Sequence, residues 1–401
     1  MKNLKCIVCR SKNLERVINL GRQPWGNGFL KKKNLYREKK YPLEVLFCKE
    51  CHLAQLSYFV PKKVMFSNHT YLSGTTKSLS EHFKKIVGNV SKEFNKKKDK
   101  KSFLDIGSND GTFLSHAKKK FKILGVESSK NISDIANKRG IKTLNEFFNL
   151  KIAKKINKKF DFINASGVFF HLEELHSVTK GIKFLLKKKG VFVVQFLYMA
   201  QIIKNTAFDQ IYHEHLCYYN LKTLNNLLSI YDLEIFDCYL EKIHGGQMIA
   251  YVGHKNEYNL TERFRKYEND EKRKKLNSKK IYLDFAKKIK RLKIKNIKFI
   301  KKSLLNNKLI YGMGAPVKGN TLLNYFGIKS SEIKKLLEIN ELRKGMYAPG
   351  SHIPVELEKD QKVQPDIFYV LAWNFKKEIL NKNKHLIKKG VKFYFPVDIK
   401  L

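Results

Sequence analysis

The sequence predicts an α/β protein with a small metal-binding module in front and a second α/β lobe behind. Two C-x-x-C pairs lie within the first 51 residues, strands alternate with helices from residue 103, and the same alternation begins again near residue 309. These observations divide the chain into a metal-binding module (1–75), a central α/β domain (76–256), a helical connector (257–302) and a C-terminal α/β lobe (303–401).

Composition limits the classes of partner. The 401 residues are 43% hydrophobic and 12% aromatic, enough to bury real cores, and the formal net charge is +45. Only ten of the 81 basic residues are Arg, and the Lys residues occur in every segment. Proteins that bind specific nucleic acids concentrate Arg-rich charge on one face, so we expect a solvated surface and no specific nucleic-acid partner. Monomer and dimer both remain open.

Membrane and export signals are not apparent. No run of eighteen apolar residues occurs, and the first residues lack the hydrophobic region of a signal peptide. We therefore expect a cytoplasmic protein without a membrane span. In that compartment the six cysteines are expected to be metal ligands or buried thiols, not disulfides.

The four N-terminal cysteines predict a structural zinc site. A C-x-x-C turn brings two thiolates to one ion, and a second such turn completes a tetrahedral set that leaves no open position for catalysis. The stretch between the pairs must then form its own loop or hairpin. The predicted zinc ligands are Cys6, Cys9, Cys48 and Cys51.

The central domain has strands and helices in alternation. We predict a leading helix within 76–100, strands at 103–106, 123–126, 160–164 and 191–196, and helices at 112–119, 129–138 and 172–186. Apolar residues at helical spacing in the Lys-rich stretch 257–302 predict one exposed helix that joins the two lobes.

A glycine turn follows the first of these strands. Gly107 and Gly111 bound a turn that enters a helix, and the second strand ends at Glu127. An acid in that position can accept the hydroxyls of a ribose. Neither a dinucleotide fingerprint nor a P-loop is present, which favours a nucleoside without phosphates. An ordinary strand–turn–helix is the alternative.

A His-rich string follows the fourth strand and includes Tyr212, His213, Glu214 and His215. Metal binding is one use, although two histidines that are two residues apart share a face only on an extended segment. General acid–base chemistry is a better use, because histidine titrates near neutral pH and takes a proton from carbon next to a carbonyl. Buried or surface histidines without a function are the third alternative.

Several strings in order resemble one family, the S-adenosylmethionine-dependent C-methyltransferases of nucleotide-linked deoxysugars. The resemblance covers nearly the whole chain and implies a zinc module, a class I methyltransferase (Rossmann-like) domain and a C-terminal Rossmann-like lobe that helps to bind the sugar nucleotide. The strings are L-D-I-G-S-N-D-G (104–111), I-Y-H-E-H (211–215), H-G-G (244–246), K-G-N-T-L-L-N (318–324), H-I-P (352–354) and L-A-W-N-F (371–375).

The resemblance also implies the roles of individual residues. His215 would be the base that removes the proton alpha to the ketone of a keto-sugar, Tyr212 and Glu214 would hold the sugar or the enolate, and Tyr71 would reach into the same site. S-adenosylmethionine would lie against the first glycine turn and the acid after the second strand. The residues implied for the cofactor are Asp105, Gly107, Ser108, Asn109, Gly111 and Glu127.

A second glycine turn (312–319) precedes a helix in the C-terminal lobe. Val317 stands where a dinucleotide fingerprint would have its third glycine, and Lys318 near the helix start could meet a phosphate of the sugar nucleotide. Ligand loop and plain structure are both open from this turn alone. The resemblance adds Asn320 and His352 as substrate residues.

Two further functions stay open at this stage. A methyltransferase that acts on oxygen or nitrogen would need no enolate. A zinc-containing protein that binds RNA would account for the charge, and its affinity would have to persist at physiological salt. The sequence does not identify the methylated carbon, the sugar, the nucleotide base or the pathway.

Overall fold

The computed structural model describes residues 4–35, 37–61, 64–65, 72–75, 77–95 and 100–397. Tyr71, which the sequence places at the site, lies outside the described residues. Among the described residues, none of the helices combines the length and the apolar composition of a transmembrane segment.

The first domain is built on a four-stranded antiparallel sheet. Its strands β1 (Leu14–Pro24) and β2 (Lys40–Cys48) form the hairpin between the two C-x-x-C pairs, and β3 (Ala54–Leu56) follows. The fourth strand, β9 (Cys217–Tyr218), comes from the middle of the chain and pairs with β3. The hairpin agrees with the expectation from the cysteine spacing, whereas β9 has no signal in the sequence.

The central domain is a seven-stranded sheet with helices on its faces. The sheet order is β10-β11-β8-β7-β4-β5-β6, and all neighbours are parallel except those of β11. The four predicted strands and the predicted helices between them are confirmed. The elements are α1 (Lys77–Phe94), β4 (Ser102–Ile106), α2 (Thr112–Ala117), β5 (Lys122–Glu127), α3 (Lys130–Lys138), β6 (Thr143–Asn145), α4 (Leu150–Ile156), β7 (Phe160–Ser166), α5 (Leu175–Leu185), β8 (Leu186–Leu197), α6 (Met199–Lys204), α7 (Leu221–Ser229), β10 (Leu233–Glu241) and β11 (Gln247–His254).

The prediction of one exposed connecting helix is wrong. Two helices are present, α8 (Glu262–Arg273) and α9 (Lys279–Leu305), separated by a break in which Lys275 has a positive φ of 50°. One face of α9 is buried. It packs against β1, and its Tyr282 lies against the ring of Phe47 in β2 at 5.4 Å. The apolar residues at helical spacing therefore form a core face, and only the Lys-rich face is solvated.

The C-terminal lobe is a five-stranded parallel sheet in the order β14-β13-β12-β15-β16. The order reverses at β12, so the crevice beyond the carboxyl ends of β12 and β15 is where such sheets bind ligands. In the central sheet the same position lies between β4 and β7. The elements are β12 (Ile310–Met313), α10 (Val317–Phe326), β13 (Leu336–Glu338), β14 (Val355–Leu357), β15 (Ile367–Val370), α11 (Lys376–Lys382), α12 (Lys384–Lys388) and β16 (Lys392–Tyr394).

Candidate active site

The four predicted zinc ligands come together at the end of the first sheet. Their sulfur atoms all lie within 4.8 Å of one another, with Cys6 Sγ 3.4 Å from Cys51 Sγ and Cys9 Sγ 3.5 Å from Cys48 Sγ. A tetrahedral zinc ion with bonds of about 2.3 Å separates its sulfur ligands by roughly 3.8 Å. The cluster therefore fits a closed structural zinc site.

The first glycine turn lies at the switch point of the central sheet. Gly107 follows β4 with a φ of +70°, and a Cβ on it would stand 2.5 Å from Cγ2 of Val168, just after β7. A side chain is therefore excluded on both conformational and steric grounds. Beneath the turn, Asp105 is buried and accepts a bond of 2.7 Å from Asn164, while burial raises the pKa of Asp105 to about 7.

Glu127 ends β5 beside this turn. Its Oε2 accepts the backbone N–H of Asn109 at 3.0 Å, and its Oε1 accepts that of Ser129 at 2.9 Å. Ser128 Oγ adds a longer contact to Oε1 at 3.4 Å, and since a carboxylate has about four acceptor positions, capacity for a ribose hydroxyl remains on Oε2. The turn and Glu127 thus fit the ribose and amino-acid parts of S-adenosylmethionine.

A segment from before α1 covers the same turn. The backbone N–H of Ser73 donates to Asn109 Oδ1 at 2.9 Å, and that of Gly74 donates to Asp110 Oδ2 at 3.1 Å. Asp110 also pairs with Arg139 at 2.9 Å. Both side chains that receive the segment belong to the first glycine turn.

The His-rich segment (residues 208–216) runs from α6 to β9 along the carboxyl edge of the central sheet. The backbone N–H of Leu216 donates to the carbonyl of Phe170 at 2.8 Å, which holds the segment against the loop after β7. His215 is buried at 4% exposure, and its Nδ1 is 2.7 Å from the carbonyl of Gln210.

This contact decides the tautomer of His215. A carbonyl only accepts, so Nδ1 carries the hydrogen and the lone pair of the neutral ring is on Nε2. Burial, reinforced by His171, holds the pKa of His215 well below its usual range, so the ring is neutral at pH 7. His215 is therefore a neutral imidazole with Nε2 available as a base.

The other members of the segment point in two directions. The ring of Tyr212 lies 3.8 Å from that of His215, centre to centre, so the structure brings these two together. His213 packs edge-on to Tyr41 of the first domain at 5.8 Å. Glu214 also points to the first domain, where its Oε1 accepts the indole N–H of Trp25 at 2.7 Å, and burial raises its pKa to about 7.

Two residues that the sequence analysis missed touch this group. His171, in the loop after β7, donates Nδ1–H to the carbonyl of Glu214 at 2.5 Å, and its ring is 5.1 Å from that of His215. Its place after a parallel strand is a signal that sequence reasoning could have used. Trp25 lies far from the segment in sequence and gave no such signal.

The C-terminal lobe brings Lys318 to the same region. Lys318 Nζ donates to Asn374 Oδ1 at 2.6 Å and lies 3.9 Å from the ring centre of Trp373, whose indole N–H donates to Asp209 at 2.5 Å. Burial lowers the pKa of Lys318 to about 8, while Asp209 opposes that shift. A cation at the second position of α10 suits a phosphate.

The other predicted substrate residues contact the first domain instead. Asn320 Nδ2 donates to the carbonyl of Gly26 at 2.7 Å, and His352 Nε2 lies 2.8 Å from Glu38 Oε1. Both contacts join the C-terminal lobe to the first domain. The structure therefore gives these two residues a positioning contact and does not bring them together with His215.

Three family models match successive parts of the chain. A zinc binding domain model matches residues 6–66, a methyltransferase domain model matches 79–237, and a model described as a C-methyltransferase C-terminal domain matches 242–398. The last match begins before the boundary at 303 that the sequence suggested, because it includes β11 and both connecting helices.

The chain is also similar over most of its length to a curated protein. It is 26% identical to C-methyltransferase NovU of Streptomyces niveus over 98% of this chain and 95% of the relative. Among solved structures, an S-adenosylmethionine-dependent methyltransferase of Clostridium acetobutylicum aligns with 44% of this chain and 92% of its own, at 16% identity and a TM-score of 0.35. Magnesium protoporphyrin IX methyltransferase of Synechocystis, with bound SAH, aligns with 43% and 83%, at 13% identity and a TM-score of 0.34.

Proposed function

We propose, from the premise that this chain is an S-adenosylmethionine-dependent C-methyltransferase, that its acceptor is a nucleotide-linked keto-deoxysugar. The resemblance of the sequence strings supports this acceptor class, and the similarity to NovU supports methylation on carbon. Lys318 at the start of α10 is the cation we assign to a phosphate of the nucleotide, and His215 is the base that we assign to the sugar.

The observation that carries the proposal is the tautomer of His215. A sugar carbon becomes nucleophilic only when a neighbouring carbonyl acidifies its proton, so carbon methylation needs a base with a free lone pair. Nε2 of a neutral His215 has that lone pair because Nδ1–H is bonded to the carbonyl of Gln210. Nε2 takes the proton, and the electrons of the C–H bond pass into an enolate.

Neighbouring groups complete the site. Tyr212, whose ring lies at a tilt against that of His215, is assigned to the enolate oxygen, where a hydrogen-bond donor stabilises developing charge. Glu214, whose Oε1 accepts from Trp25, is assigned to a hydroxyl group of the sugar through its other oxygen. Bound S-adenosylmethionine supplies the methyl group, next to the first glycine turn and Glu127. Holding both reactants on one rigid edge of the sheet contributes to the rate through proximity.

The test uses purified protein with S-adenosylmethionine and a panel of nucleotide-linked keto-sugars in deuterated water. Mass spectrometry should find one added methyl group on carbon and deuterium at the position alpha to the ketone. His215→Ala should lose both while S-adenosylmethionine binding, measured by calorimetry, stays within about threefold. His385→Ala, an exposed histidine on α12, is the matched control and should keep full activity.

Two results would contradict the proposal. Deuterium incorporation that persists in His215→Ala would show that another group is the base. Methylation of no keto-sugar in the panel, with S-adenosylmethionine bound, would reject the acceptor class.

A further inference from the structure

The chain has two tryptophans, and both contact the His-rich segment from outside the central domain. Trp25 belongs to the first domain and Trp373 to the C-terminal lobe. Trp25 donates its indole N–H to Glu214 at 2.7 Å, and Trp373 donates its own to Asp209 at 2.5 Å. The same interaction, an indole N–H on a buried carboxylate, therefore occurs near each end of the segment.

Each contact lies next to a group that fixes His215. Asp209 precedes Gln210, whose carbonyl accepts Nδ1–H of His215 at 2.7 Å. Glu214 precedes His215, and the carbonyl of Glu214 accepts from His171 at 2.5 Å. A shift at either carboxylate would therefore change the orientation of the imidazole.

The carboxylates have few other partners among the described residues. Asp209 is fully buried, and its second oxygen, Oδ1, has no hydrogen-bond partner there. Among the described residues, the side chain of Glu214 accepts its hydrogen bond from Trp25, and the Arg343 guanidinium acts on it at longer range. Losing an indole donor would thus leave a buried carboxylate without its main bond, which is costly.

The tryptophans are themselves fixed by neighbouring parts of the site. Gly26, next to Trp25, accepts from Asn320 at 2.7 Å, and a Cβ on Gly26 would stand 3.1 Å from Val317 at the start of α10. Trp373 lies beneath Lys318, with 3.9 Å from Nζ to the ring centre. Both tryptophans are therefore held beside the start of α10, Trp373 through Lys318 itself and Trp25 through its neighbour Gly26.

We propose that Trp25 and Trp373 are positioning residues that hold the His-rich segment from its two sides, so that His215 keeps the orientation in which Nε2 faces the acceptor. This gives the first domain a task in the reaction, since its zinc site supports the sheet from which Trp25 extends. The inference rests on the proposed function of His215.

Kinetics of Trp25→Phe and Trp373→Phe test the proposal. Phenylalanine keeps an aromatic ring, including a face for Lys318, and removes the indole N–H together with the fused five-membered ring. We expect kcat to fall at least tenfold in each variant, with S-adenosylmethionine affinity and zinc content unchanged. Tyr58→Phe, which removes an exposed hydroxyl from the same domain as Trp25, is the matched control and should keep the wild-type kcat.

The pH profile adds a readout that a purely structural role would not change. The Trp25 bond favours the ionised form of Glu214, so its loss raises the pKa of Glu214 from about 7. Ionised Glu214 is the form that we assign to the sugar, so its protonation should produce an acid limb of kcat. In Trp25→Phe this limb should move to higher pH by about one unit, since one charged hydrogen bond is lost. Trp373→Phe should leave that limb in place.

A spectroscopic measurement is independent of turnover. Protein labelled with 5-fluorotryptophan should give two fluorine resonances, assigned with the two Phe variants. Glu214→Gln should shift the Trp25 resonance alone, and Asp209→Asn the Trp373 resonance alone. If Glu214→Gln or Asp209→Asn does not fold, the Trp25 resonance of the wild-type protein should still shift with pH near 7, where Glu214 titrates.

The outcomes separate the two proposals. Normal kcat and an unmoved acid limb in Trp25→Phe, with His215→Ala inactive, would overturn the positioning role and keep the proposed function. Full activity of His215→Ala would overturn both. If both Phe variants melt at a lower temperature and keep the wild-type kcat, the tryptophans contribute only to stability, and the inference is rejected.

Discussion

The two glycine turns of this chain have similar backbones and differ in the partners of the acid beside each of them. In the central domain Gly107 follows β4 and packs on Val168, and in the C-terminal lobe Gly314 follows β12 and would place a Cβ 3.0 Å from that of Ala372. Both glycines have a positive φ, of +70° and +79°. Each turn therefore lies at the switch point of a parallel sheet, in contact with the loop after the strand across it.

The two turns differ in the bonds of the acid beside each turn, which is Glu127 at the end of β5 and Glu338 at the end of β13. Glu127 and Glu338 are both 8% exposed, and each accepts a backbone N–H from its own turn, of Asn109 at 3.0 Å and Ala315 at 2.9 Å. Glu338 is also paired with Arg343, which contacts the carbonyl of Ala315 as well. Among the described residues, Glu127 has no such cationic partner.

This difference indicates how an acid becomes available to a ligand. Arg343 and the backbone satisfy Glu338 within the protein, and Phe29 of the first domain covers the guanidinium at 4.5 Å. Glu127 keeps acceptor capacity on Oε2 for a ribose hydroxyl. We therefore propose that the first turn binds a ribose through its acid, and that the second uses Lys318 instead.

The largest expected effect is on stability at the second turn. Glu338→Ala leaves the partly buried Arg343 without its carboxylate, which should lower the free energy of unfolding by about 3 kcal/mol. Urea denaturation measures this, with Glu341→Ala, an exposed acid of the same lobe, as control. S-adenosylmethionine affinity should not change; an equal loss of affinity would mean that the two turns do not act separately.

At the first turn the expected effect is on binding. Glu127→Gln replaces a charged acceptor, and we expect S-adenosylmethionine to bind about 30-fold more weakly, or about 2 kcal/mol, because hydrogen bonds to charged groups are worth about that much. Calorimetry provides the measurement and Glu146→Gln, on the same domain, the control. Wild-type affinity in Glu127→Gln would remove Glu127 from the cofactor site.

Alanine at the two turn glycines compares the turns directly. Gly107→Ala and Gly314→Ala each force a side chain into left-handed backbone, at a cost of about 1–2 kcal/mol in unfolding free energy. Gly390→Ala, with a φ of +87° and open space around it, isolates that conformational cost. Only Gly107→Ala should weaken S-adenosylmethionine binding, and an equal loss in Gly314→Ala would contradict the division of roles.

The smallest effect concerns the charge on Lys318. Burial lowers its pKa to about 8, so the ammonium is present at pH 7 and mostly lost at pH 9. Affinity for a nucleoside diphosphate such as UDP should fall about fivefold over that range, since phosphate charge no longer changes there. Lys318→Arg should abolish the dependence because arginine stays protonated. A pH-independent wild type would exclude Lys318 from the phosphate.

Much of the fold could be predicted because its signals are local. The buried strand β4 is mostly apolar around Asp105, and the predicted strands and helices of the central sheet are found where they were predicted. The connector was predicted as one exposed helix because a Lys-rich stretch looks solvated. Its apolar stripe at Phe285 and Ile289 is a buried face, which only a partner such as β1 reveals.

The sequence by itself determined the features whose residues lie close together along the chain. These are the cysteine pairs, the first glycine turn with Glu127, and the string that contains Tyr212 and His215. The tertiary structure decided which distant residues contact these features. Trp25 and Trp373 reach the His-rich segment from 189 and 164 residues away. Such contacts depend on how three domains pack, and no periodicity along the chain encodes a partner at that distance.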